Sequence, residues 1–270
     1  STTFQIAAIG LGLTVLVTLS LVRGQLFDSW ESRVPPGSPN FFLANVQDYE
    51  QQGVAQFFRD RLGQSLDFIP MATGRLVTIN GRVPTAKAYP DPRTASRIEG
   101  NLNFSWSNGI PRDNTLVSGE WWQPGTTEPV VSLAESWAEP LRVQVGDRIG
   151  VRVGSETIDA RIANLRKVRW ESFNPNFFVL FPSGVFKDAP HSFLSSARLE
   201  AEQQDVLVEL SRQFPTVNII DIGAILRQVR HLMEIVGVAL NLVFGLTLAA
   251  GAAVLFAVMQ SSHDVRLREA

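Results

Sequence analysis

The chain of 270 residues has no cysteine, and only three of its 24 basic residues are lysine. Without cysteine there is no disulfide framework and no thiolate metal site. The 21 arginines are scattered rather than blocked, and the net charge is −2, which argues against nucleic acid as a partner. No G-x-x-x-x-G-K-[ST] sequence occurs, so this chain has no P-loop to cradle ATP. There is no G-x-S-x-G nucleophile elbow. The three histidines, His191, His231 and His263, are far apart and lack the spacing of metal ligands. "GLGLTV" at Gly10–Val15 resembles half a dinucleotide fingerprint, but it lacks the third glycine and lies inside an apolar run. A catalytic carboxylate pair is not legible before the fold is known. The sequence therefore names no catalytic, cofactor-binding or metal-binding residue.

Charge is also absent from two long stretches. Ile235 to Ser262 contains no charged side chain, and neither does Ser1 to Val22. A helix rises about 1.5 Å per residue, so about 20 apolar residues cross a bilayer core roughly 30 Å thick. A buried helix of a water-soluble protein would keep a polar face, and Ile235–Gln260 has none. For the first stretch, the alternative is a secretory signal peptide. That needs a positive start and a small-x-small cleavage site, and neither is present before or after Arg23. Two transmembrane helices are expected, over 1–22 and 235–260. The start at Ser1 and the stop at Ala270 in mid-helical pattern suggest a piece of a longer protein. Arg266 and Arg268 in the tail place it on the cytoplasmic side, and the long segment between the spans outside.

Between the spans, hydrophobic periodicity changes several times. Leu26, Phe27, Trp30 and Val34 recur at helical spacing as a stalk over 23–37, closed by Pro35-Pro36-Gly37. "NFFLANV" (Asn40–Val46) and "GRLVTING" (Gly74–Gly81) read as strands flanking a helix that aligns Val54, Phe57, Phe58 and Leu62, a β-α-β unit. From about Thr85, short strands separated by turn residues dominate, and Gly146-Asp147 and Gly154-Ser155 mark turns in a small twisted sheet or barrel. Ser132 and Glu135 predict a capping box opening a short helix, which accounts for Glu135 without chemistry. Strand patterns return at Asn176–Pro182 and Ser192–Leu199, then a helix over 200–214 and a strand over 216–221. The expected architecture is an α+β domain over 38–84 and 174–221, with a mostly β insert over 85–173. Trp121-Trp122 reads as packing or as the lining of an apolar groove.

Asp221 can cap the next helix. Ile222, Ile225, Leu226, Val229, Leu232, Met233 and Val236 form one stripe without proline, so 222–234 continues as a stalk into the span. Ile222–Gln260 is then a single helix about 57 Å long. It serves either as a rod that transmits motion or as a tether. Gly237, Asn241, Gly245, Ala249, Ala253 and Ala257 recur every four residues, and Gly10, Thr14 and Thr18 repeat the interval in the first span. Small residues at this spacing allow close helix approach in lipid, and Asn241 can add an interhelical hydrogen bond. Small residues are also common in spans for no such reason.

"NFFLANVQ", "LNFSWS", "LVSGEWW", "LRVQVGD", "RKVRWESFNPNFFVLFP" (Arg166–Pro182) and "FPTVNIIDI" together resemble the YbbP-type permeases of the FtsX/MacB-like superfamily of ABC transporters. The resemblance runs along nearly the whole chain in order. It implies a bacterial inner-membrane protein with two transmembrane helices flanking an extracytoplasmic, MacB-like periplasmic α+β core with a mostly β insert. It implies a separate ABC ATPase subunit that carries ATP and Mg, with no cofactor on this chain. It also implies further permease helices or a second permease repeat as partners. "DVRLREA" resembles the start of a segment, 261–270, that meets the ATPase, through Arg266, Arg268 and Glu269. Family members lie beside a lysophospholipase/thioesterase-like protein, which points to a lipid or another hydrophobic compound as cargo. The implied function is a non-catalytic permease subunit that couples ATP hydrolysis on its partner to movement of its outer domain. The alternative is a membrane-tethered binding or scaffold protein without energy coupling.

Overall fold

The computed structural model describes residue 14, residues 37–186 and residues 189–268. The first predicted span and its stalk therefore lie outside the described residues, except that Thr14 is helical and exposed. Two compact units emerge. One is Pro35–Ile222, and the other combines Ser1–Val34 with Gly223–Ala270.

The first unit begins with β1 (Phe41–Val46), α1 (Gln51–Leu62) and β2 (Ile69–Ile79), and ends with β9 (Ser192–Ala197), α4 (Asp205–Gln213) and β10 (Asn218–Asp221). The sheet order is β10-β1-β9-β2, with every neighbouring pair antiparallel. The expected β-α-β unit is thus split. β9 lies between β1 and β2, and β1 lies between β9 and β10, so two β-α-β units interlock as in ferredoxin-like folds. The helical spacing of Val54, Phe57 and Phe58 turns α1 onto this sheet. They bury against Leu43, Val46, Leu199, Leu210 and Val217. The Arg61–Glu209 ion pair joins the exposed sides of α1 and α4. α4 is shorter than expected, because a 3-10 turn at Ala201–Gln203 takes its first residues, capped reciprocally by Glu200 and Gln203.

Between β2 and β9 lie α2 (Pro92–Glu99), β3 (Leu102–Trp106), β4 (Asn114–Gly119), β5 (Val130–Ala134), α3 (Glu135–Leu141), β6 (Arg148–Val153), β7 (Glu156–Val168) and β8 (Val179–Phe181). Their pairings close a ring in the order β2-β3-β8-β5-β7-β6 and back to β2. The insert is thus a six-stranded barrel, with β4 added along β7. Alternation aims Ile149, Val151 and Val153 of β6 into its core, beside Leu76, Phe104, Leu133 and Phe181. Trp137, Ala138 and Leu141 of α3 cover that core.

Three expectations change here. β2 starts at Ile69 rather than Gly74, because its first residues pair with β9 before the strand joins the barrel. β8, grouped by sequence with the α+β part, pairs with β3 and β5 inside the barrel. The capping box of Ser132 and Glu135 does not form. Ser132 is fully buried within β5, and α3 starts at Glu135 after Ala134 with no side-chain cap. The demand of the barrel for a fifth strand overrides the local capping signal.

β10 runs without interruption into α5 (Ile222–Arg268), a single helix of 47 residues. The Ile222 N–H donates to the Asn40 carbonyl, anchoring the first residue of α5 to the start of β1 (2.9 Å).

Candidate functional site

The most heavily built polar site lies where β4, the end of β7 and the loop 169–178 meet. Its centre is Arg166 on β7, fully buried. Its Nη1 donates to Asn114 Oδ1 (3.1 Å) and its Nη2 to the Phe177 carbonyl (2.6 Å). Asn114 in turn donates to Asn176 Oδ1 (2.6 Å) and to the Arg112 carbonyl (2.9 Å). Among the described residues no carboxylate pairs with Arg166. Burial lowers its pKa to about 9, so it stays charged at neutral pH.

Asp113 closes the other side of the loop. Its side chain is 7% exposed and pairs with Arg169, and Asn174 Nδ2 donates to its Oδ2 (2.6 Å). Burial alone would raise this carboxyl. Hydrogen bonds from Asn174 and Arg169 outweigh burial and hold it below the usual aspartate range. Ser172 Oγ donates to the Arg169 carbonyl (3.0 Å) and accepts from the Asn174 N–H (3.3 Å). Asp113 and Phe173 both take the left-handed conformation (φ 65° and 53°), uncommon for residues other than glycine. The network thus fixes a bent loop that displays Trp170, tilted at 43° against Phe178 (centroids 4.6 Å apart), with Arg97 over the Phe178 ring (5.2 Å). Its chemistry is structural. It has a buried cation and amides, but no nucleophile–base pair. Apart from Arg97, Arg112, Asp113 and Asn114, these residues lie in "RKVRWESFNPNFFVLFP", and reading that stretch as strand and turn missed the burial of Arg166.

Apart from Gly10, Thr14 and Glu269, the other predicted residues fall on α5. Among the described side chains, Ile225, Leu232, Ile235, Val236, Val238 and Leu242 are each more than half exposed. Val229 is half-buried. Gly237 is buried, while Asn241, Gly245, Ala249 and Ala253 are exposed, and a methyl group added at Gly245 would meet open space. The small-residue ladder is therefore unoccupied on most of its length among the described residues. Thr247 Oγ1 donates back to the Val243 carbonyl (2.8 Å). Arg266 and Arg268 are helical in backbone, and Gly10 and Glu269 lie outside the described residues. His231 sits 3.9 Å from Glu234, one turn on, with both exposed. Among the described residues no cluster of three or more His, Asp or Glu side chains has metal-binding geometry. A shallow groove of about 640 Å³, lined by Gln51, Gln52, Gln56, Arg59, Leu66 and Phe68, offers no acid–base pair. Trp121 and Trp122 stack at 4.2 Å, with Trp122 buried as packing.

Ile222–Ala253 is long and apolar enough to cross a membrane by length and composition, and its most apolar 18-residue window has a mean hydropathy of 2.0. So much exposed apolar surface on one helix needs lipid or other helices around it. A folded α+β unit running directly into such a helix is the architecture of a membrane protein with a large water-facing domain. No protein-family profile matches the chain. Over 269 residues, all of this chain, it is 36% identical to the uncharacterized ABC transporter permease YbbP of Escherichia coli (strain K12). The chain is related from end to end to a YbbP-type permease, and it spans 32% of the length of that protein. It also aligns with a crystallised domain of a permease-like protein from Porphyromonas gingivalis at 10% identity and a TM-score of 0.33, covering 68% of this chain and 88% of that one. That likeness is too low to carry an argument.

Proposed function

We propose that this chain is a segment of an ABC transporter permease subunit in a bacterial inner membrane, with the unit Pro35–Ile222 outside the cytoplasm. The observation that carries the reading is the unbroken passage from β10 into α5 in a chain 36% identical along its whole length to such a permease. ATP would be hydrolysed, with Mg, on a separate ATPase subunit. Arg266 and Arg268, in the last turn of α5, and Glu269, next in the sequence, are proposed to face it.

In this reading α5 is the transmitter. A ligand or nucleotide state shifts a conformational equilibrium only by its differential affinity for the two states. A helix with no break between Ile225 and Leu232 can pass that difference across the bilayer. The exposed ladder at Gly237, Asn241, Gly245, Ala249 and Ala253 would receive another helix, from the first span at Gly10 and Thr14 or from a further permease repeat. A lipid or another hydrophobic compound fits as cargo, because a membrane permease meets such compounds directly. The test is purification of the full-length permease from its own membranes. A P-loop ATPase that co-purifies and whose ATP hydrolysis is stimulated by the permease supports the proposal. A permease that purifies without one overturns it in favour of a tethered scaffold.

A further inference from the structure

Asparagine followed by glycine is chemically fragile, because no Cβ on the glycine hinders its main-chain nitrogen from attacking the asparagine side-chain carbonyl. The sequence has two such pairs, Asn80-Gly81 and Asn108-Gly109, and the fold treats them differently. Asn80-Gly81 forms the tight turn that follows β2. Both residues are left-handed (φ 48° and 75°), and Ile79 and Arg82 exchange main-chain hydrogen bonds across them (2.8 and 3.0 Å). Asn80 Nδ2 donates to Asp147 Oδ1 (3.1 Å), and Asn80 Oδ1 accepts from the Arg148 N–H (2.8 Å). The amide is thus held at both ends, and turning its carbonyl onto the Gly81 nitrogen breaks both bonds. Asn108-Gly109 lies in the exposed bend between β3 and β4. Among the described residues Asn108 is bonded only through its main-chain carbonyl, which accepts from Trp121 Nε1 (3.3 Å). The Gly109 N–H has only a long contact to Ser107 Oγ (3.4 Å). A methyl group added at Gly109 would meet nothing within 4 Å, so the approach to this nitrogen is open.

We infer that Asn108 is a site of spontaneous deamidation in the folded protein, and that Asn80, with the same local sequence signal, is protected by its turn. The Gly109 nitrogen gives up its proton and bonds to Asn108 Cγ. The Cγ–Nδ2 bond breaks, and Nδ2 leaves as ammonia with that proton, which closes a succinimide ring. Water then opens the ring at either carbonyl, giving aspartate or isoaspartate. Water is the only other reactant, and no electrons change hands. The product falls at a sensitive place. The carbonyls of Ser107 and Asn108 accept from the indole N–H groups of Trp122 and Trp121 (2.9 and 3.3 Å). Either product adds a negative charge there, and isoaspartate also adds a methylene to the main chain. Conversion therefore loosens the seat of the two stacked tryptophans, of which Trp122 covers Val130, Phe177 and Leu180.

The test is incubation of the full-length protein in mildly alkaline buffer, folded and in denaturant, followed by proteolysis and mass spectrometry of the peptides carrying each asparagine. In the folded protein the Asn108 peptide is expected to gain the mass of the acid and to split into aspartate and isoaspartate forms, while the Asn80 peptide keeps its amide. In denaturant the gap is expected to close, because glycine follows both residues. G109A is expected to suppress conversion at Asn108, because the added methyl hinders the attack, and the open space at Gly109 lets the variant fold. Asn80 converting as fast as Asn108 in the folded protein would overturn the inference. So would an Asn108 that stays intact when folded but converts in denaturant, or a gap of the same size in both conditions.

Discussion

Arg166 shows what a single residue contributes here. Its two hydrogen bonds satisfy the Asn114 side chain and the Phe177 carbonyl, both within the folded unit. R166A leaves both acceptors without a donor, at about 1–3 kcal/mol for each orphaned buried group, partly offset by relief of a buried charge. Chemical denaturation should show R166A clearly less stable than R112A at the exposed neighbour, and equal stability would contradict the network. Asp113 makes a pH-dependent contribution. Its carboxyl is depressed in the folded state, so its stabilisation is complete above the ordinary aspartate value of about 3.9 and is lost as pH falls through the lower folded value. The stability gap between the native chain and D113N, followed by thermal unfolding, should be full near neutrality and shrink below about pH 4. A gap that stays constant in acid would show that Asp113 acts by shape alone. None of this was legible in the residues. Arg166 and Asp113 look like ordinary charged residues of a strand and a turn until the loop 169–178 folds back over them.

At the scale of elements, β2 is the joint of the folded unit. It pairs with β9 at Ile69–Met71 and then with β3 and β6. At Gly74 it faces Leu102 on one side and Val153 on the other, and a methyl group there would run into the Arg152 carbonyl and the Phe104 ring. The backbone cannot move aside, so G74A should cost roughly 1–3 kcal/mol or more, read by denaturant unfolding. Wild-type stability in G74A would mean the two strands do not meet there. Periodicity located most strands and helices, because each buries one face locally. It could not show that β9 inserts between β1 and β2, or that β8 joins the barrel, because register and order come from contacts distant in sequence. The capping pattern of Ser132 and Glu135 misled for the same reason, since a strand needed by the ring outweighs a cap worth about 1 kcal/mol.

For the whole molecule, composition already separated an apolar stretch from the mixed-polarity unit, and α5 joins them without a break. The absence of a P-loop was legible because that motif is local. Partner and cargo were not, because no residue pattern on this chain encodes them. Proline at Val229 removes a backbone donor and clashes with the preceding turn, at about 3 kcal/mol or more to the helix. V229P should therefore leave the unit Pro35–Ile222 folded, seen as unchanged protease resistance of that unit, while the proposed stimulation of the partner ATPase by the full-length protein is lost. Retained stimulation would make α5 a tether.

The most direct measurement uses the lack of cysteine in this chain. Spin labels at Val208→Cys and Phe256→Cys, both exposed positions on the two units, report their separation in the full-length protein with the ATPase proposed as its partner. The account predicts that ATP shifts the distance distribution and that V229P abolishes the shift. A distribution that ignores ATP, or a shift that survives V229P, would contradict it.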